Sequence, residues 1–186
     1  MASFSDTTSQ AVKDAAATIE KTLAEMEVDF TKVDDDHFVA DLPGVRRLKT
    51  SCHLRVNEHS LHVSAFVMRH PDESREELWE YLLTKNARAY TIAWSIDRLR
   101  DVYLTGRLPL IAVTPEEIDR LLGTVLQMAD DNFNPMIEIG FRSAIEREYK
   151  WRVSRGESTK NLEGFAGLIE RMQREEREAQ PARDDE

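Results

Sequence analysis

The feature that most constrains this fold is an alternation of apolar and polar side chains between residues 48 and 67. Leu48, Cys52, Leu54 and Val56 lie two or four residues apart, and a second alternating stretch begins at Leu61. A period of two is typical of a β-strand that buries one face, because successive side chains point to opposite sides. The pattern therefore predicts two antiparallel strands, over residues 46–56 and 61–69, joined by a turn at residues 57–60.

The register of this predicted hairpin follows from its turn. If Val56 pairs with Leu61 across this turn, the partner of every other residue along the two strands is set. Residues that lie directly opposite each other on one face are close enough to interact. The register places two polar pairs together on the face opposite the apolar one: Arg55 with His62, and His53 with Ser64.

The same region is basic in an otherwise acidic chain. The 186 residues have a formal net charge of −10, whereas residues 46–70 hold five Lys or Arg against one Glu, and four of the five histidines. We expect this polar face to bind an acidic segment of a partner protein or the chain's own acidic ends. The alternative is a solvated face without a partner, since isolated surface charges contribute little energy. The candidate partner-binding residues are Arg46, Arg47, Lys49, His53, Arg55 and His62.

Composition excludes several other classes of protein. The net negative charge disfavours binding to nucleic acid and to anionic membranes, because both are repelled at long range. A single cysteine, Cys52, allows neither an internal disulfide nor a zinc site built on cysteines. No stretch has the apolar length of a membrane span, and the first residues lack the features of a signal peptide. We therefore expect a cytoplasmic protein.

Helices and further strands flank the hairpin. Apolar spacing predicts helices at residues 9–28 and 73–90, and strands at 30–33, 37–42, 92–97 and 102–104. Thr114, Pro115 and Glu117 form a capping box that starts another helix. This order predicts an α+β fold, in which an antiparallel sheet of about five strands packs with helices and extra helices follow at the C-terminus.

The C-terminal third is predicted to be helical with two interruptions. We expect Pro135 to interrupt or kink the helix that starts at residue 115, because proline lacks a backbone donor, and a further helix to cover residues 136–153. After a linker, an amphipathic helix around Leu162 and Met172 docks on its own domain, on a partner or on a second copy. The predicted organisation is a flexible N-terminus (1–8), a single domain (9–153), a linker with the amphipathic helix (154–178) and a charged, disordered tail (179–186).

Motifs that carry catalysis or bind cofactors are missing from the sequence. A calcium loop starting at Asp34 would place Phe38 at its fifth position, where a ligand is required. His53 and His62 alone supply too few ligands for zinc. Cys52 points away from His53 on an alternating strand, so we expect a small core residue rather than a nucleophile. The sequence predicts no enzymatic activity, no cofactor and no metal.

Four segments together resemble a known family. They are Leu82-Leu83-Thr84-Lys85-Asn86, the strand pair Trp94-Ser95-Ile96-Asp97 and Val102-Tyr103-Leu104, Leu108-Pro109, and the capped helix at Thr114-Pro115-Glu116-Glu117. This pattern resembles the YbjN-domain family of bacterial proteins, which are labelled sensory transduction regulators, and is similar to the folding unit of type III secretion chaperones. The resemblance covers about residues 11–149. It implies an α-β-β-β-α-β-β-α type of domain, no enzyme chemistry, and a role in protein binding or regulation.

We therefore expect a non-enzymatic module that binds a partner protein through its sheet face and flanking helices. A second copy of the chain is an alternative partner. Two other functions stay open on the sequence alone: a chaperone that holds an extended segment of a client, and a small-ligand sensor or enzyme whose pocket the sequence does not reveal.

Overall fold

The structure, a computed structural model, describes residues 4–179 and confirms the predicted α+β class. The helices are α1 (Phe4–Glu25), α2 (Arg75–Asn86), α3 (Pro115–Gly140), α4 (Arg142–Arg155) and α5 (Ala166–Ala179). The strands are β1 (Asp29–Asp34), β2 (His37–Pro43), β3 (Lys49–Val56), β4 (Ser60–Met68), β5 (Ile92–Ile96) and β6 (Val102–Pro109). Short 3₁₀ helices at Leu110–Ala112 and Lys160–Phe165 precede α3 and α5.

The strands form one antiparallel sheet in the order β1-β2-β3-β4-β6-β5. This sheet has six strands rather than about five, because β1 and β2, joined by a turn at Asp35 and Asp36, both pair in it. The predicted hairpin register is confirmed, with Val56 opposite Leu61 and Arg55 opposite His62. Since β6 rather than β5 pairs with β4, the two edges of the sheet are β1 and β5.

One face of the sheet forms the core, as the alternation requires. Cys52, Leu54 and Val56 are buried on β3, and the residues between them are not. Helix α1 lies against β1, β2 and β3, and Ile19 and Leu23 on its inner side are fully buried. Burial of these apolar side chains supplies the main stabilisation of the sheet.

The described chain divides into two compact units. Unit 1 contains the residues up to His70 together with Trp79–Phe133, and unit 2 contains Pro71–Leu78 and the residues from Asn134 onward. Helices α2 and α3 contribute residues to both. The end of α3 and all of α4 belong to unit 2.

Unit 2 has a small core of its own that includes the C-terminal helix. Ile145 of α4 forms a buried cluster with Leu168 and Met172 of α5, and the partly buried Ile137 and Phe165 pack against it. The amphipathic helix was predicted to dock on its own domain, on a partner or on a second copy. In the structure it packs against α4 of the same chain. Residues 180–186 of the predicted disordered tail lie outside the described residues.

Three predicted boundaries are corrected by the structure. Helix α1 begins at Phe4 instead of residue 9, because the helix extends through Thr7 and Thr8, and residues 1–3 lie outside the described chain. Strand β3 begins at Lys49 instead of residue 46, because the backbone N–H groups of Arg46 and Arg47 donate to the carboxylate of Asp130 and hold these residues in a loop. Pro135 does not end α3, which continues to Gly140, since the buried Met136 follows it in the same helix.

The environment of Cys52 confirms its prediction as a core residue and makes its reactivity testable. Its side chain is fully buried, and burial raises the pKa of the thiol to about 12. Because the thiolate is the reactive form, we expect Cys52 in the folded protein at pH 8 to react with a thiol reagent at least a hundredfold more slowly than in urea. Stopped-flow or spectrophotometric labelling measures both rates. Similar rates in the two conditions would contradict the buried position.

Candidate functional site: the open face of the sheet

The face of the sheet opposite the core carries polar side chains at its centre and the contacting rings of Phe66 and Tyr103 beside them. Its side chains come from the alternate positions of β2, β3, β4 and β6, which the strand register aligns into rows. Two rows cross the centre of the sheet: Arg55, His62 and Arg107 in one, and His53, Ser64 and Thr105 in the next.

Two of the six predicted partner-binding residues form ion pairs within the chain. The guanidinium of Arg46 lies 2.8 Å from a carboxylate oxygen of Asp131. The ammonium of Lys49 lies 2.8 Å from Asp41, which lies on the neighbouring strand β2. These contacts neutralise both bases without a partner protein.

Arg47 is also used inside unit 1. Its Nη2 donates to the carbonyl oxygen of Phe66 at 2.9 Å, and its guanidinium lies over the rings of Phe66 and Phe133 at 5.9 and 5.6 Å. Burial lowers the pKa of Arg47, which remains charged at physiological pH because arginine titrates far above it. Arg47 therefore stabilises packing of the loop before β3.

The buried carboxylate of Asp130, on α3, holds this loop. Oδ1 of Asp130 accepts hydrogen bonds from the backbone N–H groups of Arg46 and Arg47 at 2.7 and 2.8 Å. Burial opposes its charged form, but the N–H groups of Arg47, Arg46 and Val45 outweigh burial and lower the pKa of Asp130. Gly44 is required here, because a Cβ would lie 2.4 Å from the carbonyl oxygen of Arg47 and 2.5 Å from Oδ1 of Asp130.

The other three predicted residues, His53, Arg55 and His62, lie together on the open face. The fold adds two side chains that the sequence analysis missed, His37 from β2 and Arg107 from β6. Arg107 continues the alternation of Tyr103 and Thr105, so a predicted β6 that extended to Pro109 would have included it. We call the five residues the basic face: His37, His53, Arg55, His62 and Arg107.

Hydrogen bonds organise one side of the basic face. Nη2 of Arg55 donates to Nδ1 of His37 at 2.9 Å, and the other ring nitrogen of His37 lies 3.1 Å from Nδ1 of His53. Since arginine only donates, Nδ1 of His37 is unprotonated and its Nε2–H donates to His53. The two rings stack with centroids 5.3 Å apart. This chain of bonds holds His37 neutral and orients the guanidinium of Arg55.

Electrostatics across the face favour negative ligands. Burial, then the charges of Arg55 and His53, lower the pKa of His37, while Asp34 and Asp36 oppose this shift. Burial, then the charges of Arg107 and Arg55, lower the pKa of His62. Among residues 4–179, no carboxylate forms an ion pair with Arg55 or Arg107. The row therefore has a positive charge that the described part of the chain leaves uncompensated.

A second surface feature is an apolar groove of about 270 Å³ beside edge strand β5. Its floor includes Trp94, whose backbone N–H and C=O would be available to an added strand. Asn86 at the end of α2 occupies both: Trp94 N–H donates to its Oδ1 at 2.8 Å, and its Nδ2 donates to the Trp94 oxygen at 3.0 Å. The Asn of the Leu-Leu-x-x-Asn helix end thus protects the sheet edge, which disfavours strand addition at Trp94.

Two further observations concern metal binding and helices that could cross a membrane. Across residues 4–179, no three His, Cys, Asp or Glu side chains come close enough to hold a metal ion. No helix in that range combines the length and apolar character needed to cross a membrane.

Comparisons with known proteins decide the family. A family model described as "Putative bacterial sensory transduction regulator", YbjN, matches residues 15–138, two thirds of the chain. This chain belongs to the YbjN family. Uncharacterized proteins of Mycobacterium bovis and Mycobacterium tuberculosis are 48% identical to this YbjN protein over 144 residues, which cover 75% of this chain and 79% of each relative. An uncharacterized protein of Mycobacterium leprae is 47% identical over the same length.

Solved structures similar to this YbjN protein are more distant in sequence. YbjN of E. coli is 17% identical, with a TM-score of 0.46 over 62% of this chain and 85% of that one. The ExsC–ExsE complex is 13% identical, with a TM-score of 0.49 over 66% and 92%. The Yersinia pestis type III secretion chaperone SycH, in complex with a fragment of YscM2, is 15% identical, with a TM-score of 0.44 over 62% and 96%.

Proposed function

We propose that this YbjN protein is a non-enzymatic regulator that binds an acidic segment of a partner protein on the open face of its sheet. The observation that carries the proposal is the row Arg55–His62–Arg107, which has no carboxylate partner among the described residues. Arg55 and Arg107 lie on the same face with only His62 between them, so the repulsion between their positive charges destabilises the sheet. A bound acidic segment reverses this cost, so the arrangement favours a negatively charged partner.

The surface in this proposal differs from the set of six residues predicted from the sequence. Arg46, Arg47 and Lys49 stabilise the chain itself, whereas His53, Arg55 and His62 remain candidates and are joined by His37 and Arg107. The net charge of −10 restricts the partner further. A long polyanion is repelled by the rest of the surface, while a short acidic segment contacts only the basic face.

Charge reversal with a matched control tests this proposal. We expect Arg55→Glu/Arg107→Glu to weaken binding of a labelled peptide of ten glutamates at least tenfold in fluorescence anisotropy at low salt, because both guanidiniums are lost from the face. The control is Arg88→Glu/Arg98→Glu, which changes net charge equally at two exposed arginines outside the face. Thermal melting checks that each variant is folded.

The comparison between the two double variants is decisive. An equal loss of affinity in both would mean that the peptide responds to overall charge and would refute the proposed surface. Unchanged affinity in Arg55→Glu/Arg107→Glu would refute it as well. Binding by the wild type should fall as salt rises, since the interaction is electrostatic and exposed.

A further inference from the structure

We infer that the row Arg55–His62–Arg107 binds a phosphate monoester, carried as a phosphorylated Ser or Thr on the partner's acidic segment. This inference rests on the proposed function and specifies the group that occupies the centre of the face. The three side chains come from β3, β4 and β6, which are neighbours in the sheet. Two strand spacings separate the arginines, about 9.5 Å between their Cα atoms, so their long side chains can converge above His62.

The number of donors in this row exceeds what one carboxylate can use. An arginine has five N–H donors in a fork that fits two oxygens of one anion. A carboxylate has only two oxygens and one charge, so it satisfies one fork and leaves the other arginine uncompensated. A phosphate monoester offers three terminal oxygens and a charge of about −1.5 to −2 at pH 7. It can engage both forks and the imidazole at once, and its charge balances the two guanidiniums.

Part of the site is already oriented. The 2.9 Å bond from Nη2 of Arg55 to His37 uses one of its five donors and holds the guanidinium in place. The side chain of Arg107 is exposed, and its guanidinium has no hydrogen-bond partner among residues 4–179, so it is free to close over a ligand. Ser64 and Thr105 in the adjacent row surround the site with hydroxyls and no carboxylate. The carboxylates of Asp34 and Asp36 act on His37 at the far end of the row, whereas the side chains beside His62 are cations and neutral donors.

Protonation of His62 supplies a readout specific to this site. Its ring faces Arg55 from β3 and Arg107 from β6, and both disfavour its charged form. A bound dianion reverses that field and favours the imidazolium. We therefore expect the His62 ring-proton signal in NMR to titrate at higher pH when phosphate occupies the row.

The experiment compares three labelled peptides that differ at one position. A phosphoserine, a glutamate or a serine stands between two pairs of glutamates, and anisotropy gives the affinity of the full-length protein for each. We expect the phosphoserine peptide to bind at least tenfold more tightly than the glutamate peptide. Arg107→Gln should reduce that preference to threefold or less, and the control Arg98→Gln should leave it intact. Inorganic phosphate should displace the phosphoserine peptide only at much higher concentration.

Each alternative outcome overturns a distinct statement. Equal affinity for the phosphoserine and glutamate peptides would refute the phosphate site while leaving the proposed acidic-segment binding in place. Failure of all three peptides to bind would refute the proposed function as well. Inorganic phosphate that binds as tightly as the phosphoserine peptide would indicate a free small anion instead of a protein-borne group. Tighter binding of a single-stranded RNA decamer would indicate nucleic acid, and both results would overturn the inference.

Discussion

Replacing Asp130 with alanine is expected to lower the free energy of unfolding by about 3 kcal/mol, near the upper end for hydrogen bonds to a charged group. Its carboxylate is mostly buried and accepts the N–H groups of Arg46 and Arg47 at 2.7 and 2.8 Å. Without it, backbone donors in the loop before β3 lose their acceptor at a site that water reaches poorly. The midpoint of urea unfolding should fall, with the loss calculated from the midpoint and slope.

Asp131→Ala is the matched control for this prediction. Asp131 is the next residue on α3, and its ion pair with Arg46 is exposed, with 54% of the Asp131 side chain accessible. Exposed pairs contribute about 0–1 kcal/mol, so this variant should unfold within about 0.5 kcal/mol of the wild type. Equal losses in the two variants would contradict the assignment of Asp130 as the anchor of the loop.

The contribution of Asp130 should also depend on pH. Its pKa is lower in the folded protein than its ordinary value of 3.8, so the unfolded chain binds the proton more readily. The stabilisation is therefore complete above pH 4–5 and is lost as pH falls through the folded-state pKa. Unfolding curves of wild type and Asp130→Ala should approach each other as pH falls below 3.8. A difference that stays constant down to pH 2 would show that the carboxylate charge is irrelevant.

Replacing Asn86 with alanine is expected to cost about 2 kcal/mol and to expose a sheet edge. Two hydrogen bonds to the backbone of Trp94 are lost together, and Trp94 itself is only 6% exposed. The freed N–H and C=O then lie on edge strand β5, where another chain can pair with them. We expect lower stability in urea and, in sedimentation velocity, a concentration-dependent dimer or larger species.

Two further variants distinguish the hydrogen bonds of Asn86 from other effects of the substitution. Thr84→Ala changes an exposed residue on the same helix and should stay within about 0.5 kcal/mol of the wild type. Asn86→Asp retains an acceptor for the Trp94 N–H but places a carboxylate against the Trp94 carbonyl, so it should also be less stable than the wild type. A monomeric Asn86→Ala protein of wild-type stability would refute the edge-protecting role.

Local patterns predicted the hairpin of β3 and β4 correctly. Alternation identified the buried face that includes Cys52 and Leu54, and the pairing assumed across the turn set the register that places Arg55 opposite His62. Both properties depend on neighbouring residues, since a shift by one residue would move every apolar side chain to solvent. Capping residues likewise located the start of α3, where the N–H of Glu117 donates to Oγ1 of Thr114.

The interruption of α3, one of the two effects predicted for Pro135, does not occur, and the reason is physical. Proline removes one hydrogen bond from a helix, a cost of about 3 kcal/mol or more in the helix interior. Packing of residues that follow it offsets that cost when they are apolar and buried, as Met136 is. The sequence contains the breaking residue and the apolar residues alike, and only the folded chain decides which of the two prevails.

The sequence by itself determined the class of fold, the core face of the sheet and three of the five residues of the basic face, because alternation and charge are written in adjacent residues. The tertiary structure alone decided which bases remain available. Asp130 lies more than 80 residues from Arg46 and Arg47 in the chain, yet it accepts their backbone N–H groups. The pairing of β6 with β4 brings Arg107 beside His62. Contacts between residues so distant in sequence depend on packing of the whole sheet and its helices, and no local pattern encodes them.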